Sequence, residues 1–105
     1  MTHPFLLITI DVEEDNPWKR PAFPRTRNSY CLSRFHRLCE DYSFRPTYLC
    51  SYEMLASSHF VSFARDVIQR GSAEFGSHLH PWRCPPFLEL AKNEYRYLPY
   101  PLDYP

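Results

Sequence analysis

The chain has 105 residues, with 12 basic and 12 acidic side chains and a formal net charge of zero. Its length allows one small domain or a piece of a larger one, and its charge balance argues against a protein built to coat nucleic acid or an anionic membrane. A hydrophobic content of 44% is too high for a disordered chain, and no apolar run approaches the ~20 residues that span a bilayer.

The amino-terminal segment has neither a basic n-region nor a small-residue cleavage site. Its apolar stretch, Phe5 to Ile10, is short for a signal peptide, so a cytoplasmic location is expected. Pro4 to Ile10 reads as a buried strand, continuous in apolar character and β-branched at its end. It stops in the acidic cluster Asp11, Glu13, Glu14 and Asp15. Pro17, Pro21 and Pro24 then exclude a regular element from Asn16 to Arg27.

Asn28 or Ser29 is the expected N-cap of a helix running to about Tyr42, with Leu32, Phe35, Leu38, Cys39 and Tyr42 on one apolar face. Arg45 to Cys50 reads as a second strand. Ser57 or Ser58 caps a second helix whose inward face is Phe60, Phe63, Ala64, Val67 and Ile68, and Gly71 follows its end. Ala73 to Phe75 is a short third strand, leading into Gly76-Ser77-His78-Leu79-His80-Pro81-Trp82. Beyond this the Pro- and Tyr-rich segment shows no clear period. His3, His36 and His59 are scattered and read as surface. Cys31, Cys39, Cys50 and Cys84 contain no C-x-x-C pair and are expected as free, partly buried thiols.

Strand, helix, strand, helix, strand is the signature of βαβ units and a parallel sheet, so the fold class is α/β. In such folds functional groups collect at the carboxyl ends of the strands. Asp11 and Glu13 leave the first strand, and His78 and His80 leave the third. Carboxylate and imidazole both ligate a borderline divalent metal such as zinc. Alone, acidic residues after a strand are a solvated turn, and two histidines at i and i+2 are polar surface. Their occurrence at equivalent ends of two strands taken as adjacent favours the metal.

These residues also carry a family resemblance. Leu7-Ile8-Thr9-Ile10-Asp11-Val12-Glu13-Glu14-Asp15 resembles the first motif of the NodB-homology polysaccharide deacetylases, the carbohydrate esterase family 4 group. Glu74-Phe75-Gly76-Ser77-His78 is similar to its second motif. Ile-Asp-Val-Glu-Glu-Asp-Asn-Pro, the Arg45-Pro46-Thr47-Tyr48-Leu49 strand and His-Leu-His-Pro-Trp resemble a divergent WalW-like branch. The resemblance implies a distorted, incomplete (β/α) barrel of roughly two hundred or more residues. Residues 1–105 would form its N-terminal part, with about three parallel strands and two main helices.

The implied activity is metal-dependent hydrolysis of N-acetyl groups on a carbohydrate polymer. Asp11 would be the general base for the attacking water, Glu13 the carboxylate ligand and His78 the first metal histidine. The usual second histidine falls four residues later, where this chain has Trp82, so His80 is the candidate second ligand. Val12 replaces an Asp, which leaves Glu14 beside Glu13 as a candidate. Trp82 and Trp18 are candidates for stacking on sugar rings, against the plainer reading of packing. The aromatic and proline excess fits long βα loops around a carbohydrate site. An arginine that orients the base, an acetyl pocket and a histidine acid belong to later motifs without counterpart in Arg83 to Pro105. The alternatives are a non-catalytic module on the same scaffold, self-associating through open sheet edges, and a cyclic-amide hydrolase, favoured by Trp82.

Overall fold

A computed structural model of the chain describes residues 3–19 and 21–80. These form β1 (Thr9–Val12), α1 (Leu32–Asp41), β2 (Thr47–Cys50), α2 (Tyr52–Leu55), α3 (Ser58–Arg70) and β3 (Glu74–Ser77), with single 3-10 turns at Pro17–Lys19 and Arg27–Cys31. The expected α/β class is present. All three strands are parallel, in the order β1-β2-β3. Each βα unit lays its strand beside the previous one. β2 therefore separates β1 from β3, which are not neighbours as the sequence suggested. The outer edges of both are unpaired among the described residues.

β1 starts later than expected and continues through Asp11 to Val12. Phe5 and Leu7 are 95% and 86% exposed. The cause is the partner strand: β2 pairs from Thr47, whose N–H donates to the Ile8 carbonyl at 2.9 Å, and the preceding Pro46 has no N–H to extend the ladder. Apolar character without a neighbouring strand does not make a strand. At the other edge, β3 runs on through Gly76 and Ser77. A Cβ at position 76 would stand 2.9 Å from Leu49 Cδ2, so glycine lets β3 lie close to β2.

α3 follows its sequence pattern. Ser57 is the N-cap and its hydroxyl accepts from the Phe60 N–H; Phe60, Phe63, Ala64 and Val67 are buried; Gly71 ends the helix at φ 64°, the left-handed region open to glycine. Ile68 lies beyond the edge of that stripe and is exposed. The expected cap of α1 is replaced by the 3-10 turn at Arg27–Cys31, inside which the Ser29 hydroxyl donates to the Thr26 carbonyl at 2.6 Å.

The inner stripe of α1 is Leu32, His36 and Cys39, while Leu38 and Tyr42 are exposed. His36, expected at the surface, is fully buried. Its Nδ1 meets the Tyr48 hydroxyl at 2.9 Å and its Nε2 the Ser72 hydroxyl at 2.8 Å, which ties α1 to β2 and to the turn before β3. His59 is half-buried, its ring stacked on Tyr30, and His3 is exposed.

The core is Val12 of β1, Tyr48 and Cys50 of β2, Met54 of α2, the inner face of α3, and Ala73. Tyr48, Phe60, Phe63 and Phe75 form its aromatic centre, with ring centroids 5.3 Å apart for Tyr48–Phe75 and 5.7 Å for Tyr48–Phe63. Part of the aromatic excess expected in loops is thus core. Full burial of each such ring is worth about 1.5–3 kcal/mol. Cys39 and Cys50 are buried, Cys31 is exposed, and all three are free. No helix among the described residues is long and apolar enough to cross a membrane.

Candidate metal centre

The ladder continues one step past the strands. The Ser51 N–H donates to the Val12 carbonyl at 3.0 Å, and the His78 N–H donates to the Cys50 carbonyl at 2.8 Å. Because Val12, Cys50 and Ser77 share a register position, Glu13, Ser51 and His78 occupy the next step beyond the three strands. Two strand spacings separate Glu13 from His78, about 10 Å between their backbones. Ser51 between them is small, and its hydroxyl is turned away to accept from the Met54 N–H as the cap of α2. Two long side chains can therefore meet above it.

Alternation sorts the acidic cluster. Val12 and Glu14 face inward and are buried; Asp11 and Glu13 lie on the other side of the β1 chain. Asp15 has a structural task. Its carboxylate accepts from the N–H groups of Asn28 at 2.9 Å and Arg27 at 3.2 Å, at the start of the turn into α1. Its own N–H donates to Arg25, and the Asn28 amide donates to the Glu13 carbonyl at 2.6 Å. These bonds pin the proline-rich loop and fix the backbone of Glu13.

Three donors converge at this end of the sheet. His78 Nε2 lies 3.1 Å from Glu13 Oε1, His80 Nε2 lies 3.4 Å from Glu13 Oε2, and the two Nε2 atoms are 3.0 Å apart. Ligands bound to a tetrahedral ion at about 2.0–2.1 Å stand roughly 3.3–3.4 Å from one another. The observed separations lie at or a few tenths of an ångström below that spacing. Glu13 meets the two histidines with different oxygens, so the three side chains gather at one position without forming a finished tetrahedral face. Glu13 Oε2 is buried without a hydrogen-bond partner, as a coordinating oxygen would be. The cluster Glu13, His78 and His80 could hold a metal ion.

Each imidazole turns its other nitrogen to a carboxylate. His78 Nδ1 is 3.7 Å from Asp11 Oδ1, and His80 Nδ1 is 3.9 Å from Glu14 Oε1. Both separations exceed hydrogen-bond length; closed by a few tenths of an ångström or more, they would give the carboxylate–histidine pairing usual behind metal-bound histidines. The Asp11 carboxyl is 56% exposed, whereas Glu14 is 1% exposed as a residue. Burial pushes the Glu14 carboxyl up, but His80, its own backbone and Ser51 outweigh that and hold it below the usual value. His80 is raised by its pairing with Glu14, against burial and with help from Glu13 and Glu53.

The structure thus brings Glu13, His78 and His80 together and sets Asp11 beside His78. Glu14, the other candidate ligand, sits behind His80 and outside the triad. Trp18, in the Pro17–Lys19 turn, has an exposed ring. Trp82, Cys84 and the Pro- and Tyr-rich segment lie outside the described residues. Ser51, which shapes the site, carries no sequence expectation, and Asn28 is expected only as a helix cap, whereas its amide donates to the Glu13 carbonyl. Glu14 carries a sequence signal for burial, since it stands two residues from Val12 and so on the same side. No family model, curated protein or solved structure matches the chain.

Proposed function

We propose that the chain is part of a metal-dependent hydrolase that removes N-acetyl groups from a carbohydrate polymer, on a scaffold of the polysaccharide deacetylase type. The observation that carries the reading is the meeting of Glu13, His78 and His80 at 3.0–3.4 Å. It occurs at the carboxyl end of a parallel sheet, from the two segments in which the family resemblance resides. The residues fit a divalent ion, and the two-nitrogen, one-oxygen donor set suits zinc. Such an ion supplies Lewis acidity toward the amide carbonyl and the attacking water.

The family resemblance gives Asp11 the base role. Its carboxylate is on the same side of β1 as Glu13 and open to solvent, but it faces His78 Nδ1 and must turn from that ring to reach a water on the ion. Asp15 and Asn28 hold the β1 end rigid so that the donors keep their spacing. Trp18 offers an exposed apolar face to a sugar ring. The barrel would be completed by further βα units beside the open edges of β1 and β3.

The test is an NMR titration of zinc-loaded protein with N-acetylglucosamine oligomers and, in parallel, with their deacetylated counterparts, with acetate release followed in the same samples. The expected result is perturbation of the Glu13, His78 and His80 signals by the acetylated oligomers alone. Because the later-motif groups have no counterpart in the chain, binding and not turnover is the readout, and any acetate release is expected to be lost in Asp11→Asn. Identical responses to both oligomers, or none with metal bound, would overturn the reading. A second reading, a partner-binding module, is favoured by the edges of β1 and β3, unpaired among the described residues, and the exposed Phe5 to Leu7 segment. Light scattering after size exclusion separates the two: a stable oligomer that masks these residues supports the module, and a monomer opposes it.

A further inference from the structure

Glu14 is a carboxylate taken almost wholly out of water, among the most deeply buried large side chains described. Neither of its oxygens makes a well-formed hydrogen bond. A buried carboxylate is costly unless positive charge or a strong donor faces it. No lysine or arginine is paired with it among the described residues. The group beside it that can carry positive charge is the imidazole of His80, whose Nδ1 lies 3.9 Å from Glu14 Oε1; Ser51 and the Glu14 backbone add weaker donor support.

His80 is itself 6% exposed, and its Nε2 points to Glu13 and to His78 Nε2. To ligate through Nε2, the neutral ring must carry its proton on Nδ1. An ionised carboxylate only accepts, so Glu14 favours the tautomer with Nδ1–H. A small rotation of either side chain would bring the 3.9 Å pair into hydrogen-bond range. His78 has the same relation to Asp11 at 3.7 Å, but the Asp11 carboxyl is largely exposed and its field is screened by water. The two histidines are therefore unequal: His80 is held from behind in a dry environment, and His78 is held at the solvent boundary.

We propose that Glu14 is the positioning residue of the centre, fixing His80 in the Nδ1–H tautomer with Nε2 free to bind the ion. It touches neither the ion nor the substrate and acts through His80. The inference rests on the metal reading above and adds to it the residue on which the affinity of the site depends.

Two measurements test it on the full chain. The first is the tautomer of His80 in metal-free protein at pH 7.5, read from its ring ¹⁵N signals. The expected result is Nδ1–H in the wild type and a shift toward Nε2–H in Glu14→Ala and in Glu14→Gln. The second is zinc affinity by competition with a chromophoric chelator. Glu14→Ala is expected to weaken binding about 10–100-fold, while Asp11→Asn changes it only a few-fold.

Glu14→Gln is nearly isosteric and serves as the folded variant if Glu14→Ala does not fold. Unchanged affinity in a folded Glu14 variant would overturn the proposal, as would an Nδ1–H signal that persists in it. Failure of the wild type to bind zinc would remove the metal reading. The tautomer comparison, made without metal, would still decide whether Glu14 sets the state of His80.

Discussion

Replacing Glu13 by glutamine removes the one anionic donor from the Glu13–His78–His80 cluster while keeping the length of the side chain. The carboxylate oxygens that stand 3.1 and 3.4 Å from the two imidazole nitrogens become a neutral amide. Metal that binds only the folded chain stabilises it by about 2.7 kcal/mol at a free concentration one hundred times Kd. For a chain of 105 residues, whose unfolding entropy is about 0.2 kcal/mol per kelvin, that is a rise in Tm of roughly 12 °C. Losing one of three protein ligands is expected to weaken binding at least ~100-fold, which brings the same metal concentration down to Kd. The remaining stabilisation is then ~0.4 kcal/mol, or roughly 2 °C. Differential scanning fluorimetry with and without zinc reads both numbers. Equal shifts in wild type and Glu13→Gln would show that the ion binds elsewhere and refute the assignment.

The buried His36 network gives a pH dependence. Burial holds the His36 imidazole below its usual pKa, a tendency that Glu40 partly offsets. Its contribution to stability is therefore full above the ordinary histidine range and lost as pH falls through it, because the unfolded chain takes up the proton first. Urea denaturation from pH 5 to 8, compared with His36→Gln to cancel the opposite-signed contribution of His80, should show the variant less sensitive to acid; parallel curves would contradict it. Tyr48→Phe leaves buried His36 Nδ1 without the hydroxyl now 2.9 Å away and should cost about 1–3 kcal/mol in the same assay; a change below the measurement error would mean that the contact contributes nothing. In a Cys84→Ser background Cys31 should react at once with a thiol reagent. Cys39 and Cys50 should react only on unfolding, since both are buried, which raises the thiol pKa of each and pushes Cys50 up to about 11. Prompt labelling of Cys50 would argue against the core described here.

α3 was legible in its start and stop signals because they are local: a serine cap at Ser57 or Ser58, an apolar stripe that holds except at exposed Ile68, and a glycine just past its end. The αβ order was legible for the same reason. What depended on distant partners was not. Phe5 to Leu7 are as apolar as any strand, yet the neighbouring strand starts only at Thr47, a fact contained nowhere in the segment itself. His36 sits four residues after Leu32 and three before Cys39, so its inward position was readable from spacing. The residue type pointed to the surface because its partners Tyr48 and Ser72 lie 12 and 36 residues away.

At the candidate site, Glu13, His78 and His80 were found from residue type and from position after a strand. Their meeting across an intervening β2 was not foreseen, since it requires a small Ser51 whose hydroxyl is used elsewhere. The acidic cluster likewise looked uniform in sequence. In the structure, alternation divides it into an exposed Asp11, a converging Glu13, a buried Glu14 and an Asp15 spent on the turn into α1.

The most direct test of the centre is the zinc K-edge absorption spectrum of the loaded protein. The expected first shell contains two imidazole nitrogens at about 2.0–2.1 Å and a carboxylate oxygen at about 2.0–2.2 Å, with the imidazole scattering halved in His80→Ala. A sulfur shell at about 2.3 Å, or a spectrum unchanged by loss of His80, would place the ion on other residues and contradict the centre described here.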